Sequence, residues 1–134
     1  VTPDLTPERF AEEFPRAYIR FFATHPLYVR LIGYDLIHDP DNIRAMFAEV
    51  VAGLTLASTR NGMFAKFRRW AEEGRIRPVN PLHMMINIIS LSILAFIARP
   101  LVEVMSGIRV ESEEEFIAGR IDSVTALLKK GLLP

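Results

Sequence analysis

Cysteine does not occur in this sequence of 134 residues, which removes disulfides, thiolate metal sites and cysteine nucleophiles together. Neither charge is in excess, because sixteen lysines and arginines balance sixteen aspartates and glutamates. Bulk electrostatics therefore recommend neither nucleic acid nor an anionic membrane as a direct partner. Glycine-rich phosphate loops, the G-x-S-x-G elbow, H-E-x-x-H and E-x-x-H pairs are all missing. Nucleotide binding, acyl transfer, zinc hydrolysis and di-iron chemistry thus lack their usual templates. The expectation is a protein without catalytic residues, cofactor or metal.

The three histidines fit that expectation. His25 precedes a proline, His38 flanks a turn and His83 lies at a helix start, and no two share a helical face at metal-ligand spacing. His38 with Asp39 and Asp41 reads as a solvated turn, since short polar side chains cap and turn for local reasons. Lys66, Arg68, Arg69, Arg75 and Arg77 cluster around one helix end, but Glu72 and Glu73 interrupt them, which reads as a solvated end rather than a phosphate site. Val1 to Phe10 is polar and proline-containing, without the basic and apolar regions of a signal peptide, so a cytoplasmic location is expected.

Half of the residues are hydrophobic, enough to bury the core of one domain spanning residues 1–134. Their spacing is helical. Thr6-Pro7-Glu8 opens a helix to about Thr24, with Phe10, Phe14, Ala17, Tyr18, Phe21 and Phe22 at three-and-four spacing and Pro15 predicting a bend or a restart. His25-Pro26 starts a second helix to about His38, closed by the Asp39-Pro40-Asp41-Asn42 cluster. Ile43, Met46, Phe47, Val50, Leu54 and Ala57 resume the pattern, which continues through Met63, Phe64, Phe67 and Trp70 as one long helix or two abutting ones. Gly74 suits the left-handed conformation that ends it.

Asn80-Pro81 caps a segment, Leu82 to Met105, that is apolar almost all round. Ser112 to Glu115 forms a capping box, and Lys129, Lys130 and Gly131 close a last helix from about Ser112 to Lys130. No segment alternates with period two over a strand's length. The predicted fold is all-α, an orthogonal bundle of about five or six helices.

Leu82 to Ala98 is the one run that invites a membrane reading. A span needs roughly 20 apolar residues, whereas Pro81 and Arg99 bound this run and His83, Asn87, Ser90 and Ser92 interrupt it. A helix with no wet face in so small a domain is better covered on one side by its own domain and on the other by a second subunit. A membrane-associated bundle and a standalone helical dimeriser without ligand are the alternatives. Methionine and aromatic side chains elsewhere are individually core-like; collectively they suit an adaptable apolar cavity.

The order of these signals is informative. His25-Pro26-Leu27-Tyr28-Val29-Arg30-Leu31-Ile32, then Glu73-Gly74-Arg75-Ile76-Arg77-Pro78-Val79-Asn80-Pro81, then Phe116 to Leu132 ending in Leu127-Leu128-Lys129-Lys130-Gly131-Leu132, together resemble the ligand-binding half of TetR-family transcription regulators. The likeness spans nearly the whole chain. The family's helix-turn-helix module has no counterpart in these residues, so the resemblance implies that DNA is contacted only through an N-terminal module outside them.

It further implies a homodimer in which the last two long helices of each subunit form an intersubunit four-helix bundle. Ile93, Phe96, Ile97, Leu101, Phe116, Arg120, Val124 and Leu127 are the expected interface. A small apolar or aromatic effector would relieve repression by shifting paired recognition helices away from half-sites about 34 to 36 Å apart. Phe22, Tyr34, Met46, Phe47, Val50, Met84, Asn87 and Leu91 are the expected effector-binding residues, with Asn87 either a polar anchor or a helix-to-helix hydrogen bond.

Overall fold

A computed structural model describes residues 5–45, 48, 62–107 and 112–134. The described residues contain helices and no strand, so the chain is all-α, as the periodicity predicted. In order they are α1 (Pro7–Thr24), α2 (Pro26–His38), α3 (Met63–Glu72), α4 (Pro81–Ile97), α5 (Arg99–Ser106) and α6 (Glu113–Leu132). A further helical stretch opens at Pro40 and is described to Ala45.

Each start follows from local chemistry. At the head of α1 the Thr6 hydroxyl accepts from the Arg9 amide at 3.2 Å, with Pro7 in the first turn. Helical spacing then buries Phe10, Ala11, Pro15, Ile19 and Phe22 on one face. Pro15 neither breaks nor restarts α1, which runs unbroken through it. Its ring is fully buried, so packing against the rest of the domain outweighs the lost backbone donor. At the end of α2 the carboxylate of Asp35, itself buried, accepts from Asn42 Nδ2 at 3.1 Å, while Asp39 Oδ1 accepts from the Asn42 amide at 3.3 Å.

The long helix expected from Ile43 falls partly outside the described residues. Its last stretch is α3, which ends as its glycine requires: Gly74 has φ 73, and the Arg75 amide reaches back to the Trp70 carbonyl at 2.8 Å. Asn80 Oδ1 then caps α4, accepting from the amides of Leu82 at 2.9 Å and His83 at 3.3 Å. Removing this cap with Asn80→Ala should lower stability by about 1 kcal/mol. Denaturant unfolding at fixed protein concentration checks that figure, and an unchanged midpoint would mean the cap is redundant.

The expectation of one helix from Leu82 to Met105 needs correction. It breaks at Ala98 (φ −105, ψ 24), and α5 leaves α4 at 80°. Pro100 supplies the reason, since it has no amide to donate to the turn before it and its ring crowds that turn. Gly107, at φ 67, ends α5. In α6 the Ser112 hydroxyl accepts from the Glu115 amide at 3.3 Å, the half of the capping box that the structure shows. The helix continues through Gly131 to Leu132 rather than stopping at Lys130. Leu132 is fully buried, and this burial holds the extra turn in place.

The core forms where α1 lies against α6 and α4, its two most extensive neighbours. Phe10 meets Phe67 edge-on at 4.9 Å between ring centroids, and Phe67 meets Trp70 edge-on at 5.8 Å. Ile76, Ile88, Ile121, Val124, Leu128 and Leu132 complete it. The C-terminal end of α6 is tied down by one residue of the α3–α4 link. The Arg77 amide donates to the Leu132 carbonyl at 2.7 Å and its Nε to the Leu133 carbonyl at 2.9 Å. Among the described residues no single helix is long and apolar enough to cross a membrane; α4 and α5 together have the length and composition but are bent at Ala98.

Candidate functional site

Helix α4 is divided between two environments. Met84, Ile88 and Ser92, one turn apart, face the core. The Ser92 hydroxyl is satisfied there by donating to the Ile88 carbonyl at 2.6 Å. On the other side Leu82, Ile86, Ile89, Leu94 and Ile97 are exposed, and α5 extends the apolar surface with Leu101, Val104 and Met105. Single exposed leucines are ordinary, but this many exposed aliphatic side chains on consecutive helices are of the kind that marks an interaction face.

The expected interface residues occupy three different situations. Ile97, Leu101 and Leu127 are exposed, Leu127 to 56%. Ile93, Phe96, Phe116 and Arg120 are half-buried. Val124 is fully buried inside its own subunit, in contact with the core. Near Leu127, α6 exposes the small residues Ala118, Gly119, Ser123 and Ala126. A Cβ added at Gly119 would meet no atom within 4 Å, so this part of α6 leaves room for close approach.

Two arginines join α6 to the helices beside it. Arg120 donates from its terminal nitrogen to the Leu91 carbonyl at 2.9 Å, bridging α6 to α4. Arg99, at the head of α5, forms a two-pronged ion pair with Glu113 at the head of α6. Its guanidinium lies 4.7 Å from the centre of the Phe116 ring and 5.7 Å from that of Phe96. Those two rings meet edge-on at 5.9 Å. Sequence reasoning missed this cluster. The Arg99-Pro100 pair was its available signal, since it marks a helix restart with a cation in the first turn.

Among the described residues the expected effector set divides by burial. Phe22 and Met84 are buried and Leu91 is half-buried, whereas Asn87 is exposed and Tyr34 is 60% exposed. Tyr34 packs its ring on His38 at 4.2 Å, and Phe22 stacks with Tyr18 at 6.2 Å. Met46, Phe47 and Val50 lie outside the described residues. An exposed apolar strip on α2, with Leu27, Leu31 and Ile37, was also not anticipated as a surface.

Residues 1–134 match the family model for the C-terminal region of YcdC-like proteins, a TetR C-terminal class. The chain belongs to this family. Among curated proteins and among solved structures, no match to the chain was found. Membership agrees with the likeness carried by the His25 to Ile32, Glu73 to Pro81 and Phe116 to Leu132 segments.

Several charged side chains of this TetR C-terminal region are engaged within the fold. Among the described residues no cluster of three or more histidines and carboxylates could hold a metal ion. Arg75 pairs with Glu73 at 3.6 Å, Arg77 is engaged at the end of α6, and the stem of Lys66 is buried. Lys129 binds Glu12, linking α6 to α1, and its hydrogen bond and charge hold the Glu12 carboxyl below the usual glutamate range. A depressed carboxyl stabilises the fold above its unfolded value, and that contribution disappears as pH falls through its folded value. Glu12→Gln should therefore lower the melting temperature slightly at neutral pH and converge with the wild type in acid. A constant gap across pH would show that the pair does not act through charge.

Proposed function

We propose that this domain is the sensor and dimerisation half of a TetR-type transcription repressor. The exposed aliphatic side chains of α4 and α5, with Leu127 of α6, carry the dimer reading. Covering them with a second copy would remove apolar area from water at about 25 cal/mol per Å². An isologous arrangement needs no second kind of partner. Ile97, Leu101 and Leu127 are the best-placed contacts, with Ile93, Phe96, Phe116 and Arg120 behind them, whereas Val124 belongs to the subunit core.

In this reading a small apolar or aromatic effector binds between the first helices and α4, with Phe22, Met84 and Leu91 as contacts. Tyr34, Asn87, Met46, Phe47 and Val50 complete the set inferred from the sequence. The effector favours one arrangement of the dimer over another and so changes DNA affinity in a module outside these residues. The domain itself has no catalytic role, and its setting is the cytoplasm. Light scattering in detergent-free buffer tests the first step. A mass near twice the 15.2 kDa of the chain is expected, and a monomer at micromolar concentration would refute it. A thermal-shift screen of apolar and aromatic compounds tests the second, since a compound that binds only the folded state raises its melting temperature with concentration.

A further inference from the structure

The 80° break between α4 and α5 has two separable causes. Pro100 removes one backbone hydrogen bond and crowds the preceding turn, which weakens the helix at Ala98 without choosing the direction in which α5 leaves. Direction requires a contact beyond the break. Among the described side chains of α5 none is fully buried; Val102 and Glu103 are half-buried. A contact that reaches across the break comes from Arg99, the first residue of α5. Its two terminal nitrogens engage both carboxylate oxygens of Glu113, and its flat guanidinium covers Phe96 of α4 and Phe116 of α6.

We propose that Arg99 is a positioning residue that sets the angle between α4 and α5, and with it the shape of the surface offered to a second protomer. The guanidinium suits this task because a planar fork matches a carboxylate at two points while its face lies on aromatic rings; a lysine provides neither. Three helices are thereby referred to one side chain: α4 through Phe96, α5 through Arg99 itself, and α6 through Phe116 and Glu113. Its Nε is sealed from solvent without an acceptor. That lost hydrogen bond is tolerated because the other two nitrogens and the ring faces fix the group where it lies. The consequence for the protomer surface rests on the dimer reading above, whereas the positioning role does not.

The absence of native cysteine makes the angle measurable. His83→Cys and Met105→Cys place spin labels at exposed sites on α4 and α5, and dilution with unlabelled chain suppresses distances between protomers. At 1.5 Å rise per residue, the backbone separation is about 26 Å across an 80° bend and about 33 Å along an unbroken helix. The unsubstituted background should give one narrow distribution at the shorter value. Arg99→Met, which keeps the stem and removes the fork, should broaden it and extend it by several ångströms, with helical circular dichroism retained. Glu113→Gln should broaden it less, and Arg99→Lys should fail to restore the narrow distribution.

Should Arg99→Met and Glu113→Gln both leave the short, narrow distribution intact, Arg99 does not set the angle and the proposal is overturned. A long distance in the unsubstituted background overturns it equally. Light scattering on the unlabelled, unsubstituted chain reports the dimer independently. A monomer with the expected distances would sink the dimer reading and leave the positioning role standing.

Discussion

On the proposed dimer reading, Leu127→Glu should convert dimer to monomer while leaving the protomer folded. Leu127 is 56% exposed within one subunit, so the substitution costs the isolated fold within about 0.5 kcal/mol. Across a buried twofold interface the same carboxylate is desolvated without a partner, at about 3–5 kcal/mol. That corresponds to a dissociation constant raised by roughly two to four orders of magnitude. Sedimentation equilibrium measures it, and an unchanged constant would exclude this part of α6 from the interface. Phe96→Glu is a poorer probe of the same question. Phe96 already packs on Phe116 and Arg99 inside the subunit, so a charge there damages the protomer as well as any dimer.

Phe10→Ala should be the most destabilising of the substitutions considered. The side chain is completely buried and sits among Phe14, Phe67 and Trp70 at centroid distances of 4.4, 4.9 and 6.2 Å. Truncating a buried phenylalanine costs about 3–5 kcal/mol through lost transfer energy and the cavity left behind. Edge-on ring contacts such as that with Phe67 add about 0.5–1.5 kcal/mol each. Against a total stability of about 5–15 kcal/mol, much of the folded margin disappears. Urea unfolding at fixed protein concentration reads this directly, since the proposed dimerisation would couple stability to concentration. A loss below about 1 kcal/mol would contradict the packing of α1 against α3.

These two residues also show how legibly sequence translates into structure here. Phe10 was readable as core because it falls in a three-and-four series with Phe14 and Phe22, and that spacing survives into the buried face of α1. Leu127 and Val124 were not distinguishable by the same logic. Both are apolar, both lie on α6, and three residues apart they share nearly one face. Only the position of α1 and α4 against α6 decides that Val124 is enclosed and Leu127 is open. The candidate effector residues divide for the same reason, since helical phase places Tyr34 and Met84 without saying which neighbour covers either.

By itself, the sequence determined what depends on neighbours a few positions away. It settled the all-helical class, the caps at Thr6, Asn80 and Ser112, the left-handed end at Gly74, and the ordered segments that carry the family likeness. These are set by backbone hydrogen bonds and short-range sterics, which act over one or two turns. Tertiary structure alone decided the rest. Pro15 is carried through an unbroken α1 while Pro100 coincides with a break, because the first is enclosed by packing on both sides and the second lies where α5 buries little. Leu132 prolongs α6 because its burial outweighs the helix-ending tendency of Gly131. Arg99 finds Glu113 and Phe116 on the next helix, which no local rule specifies. Such outcomes rest on contacts between elements distant in sequence, whose energies accumulate only once the helices are assembled.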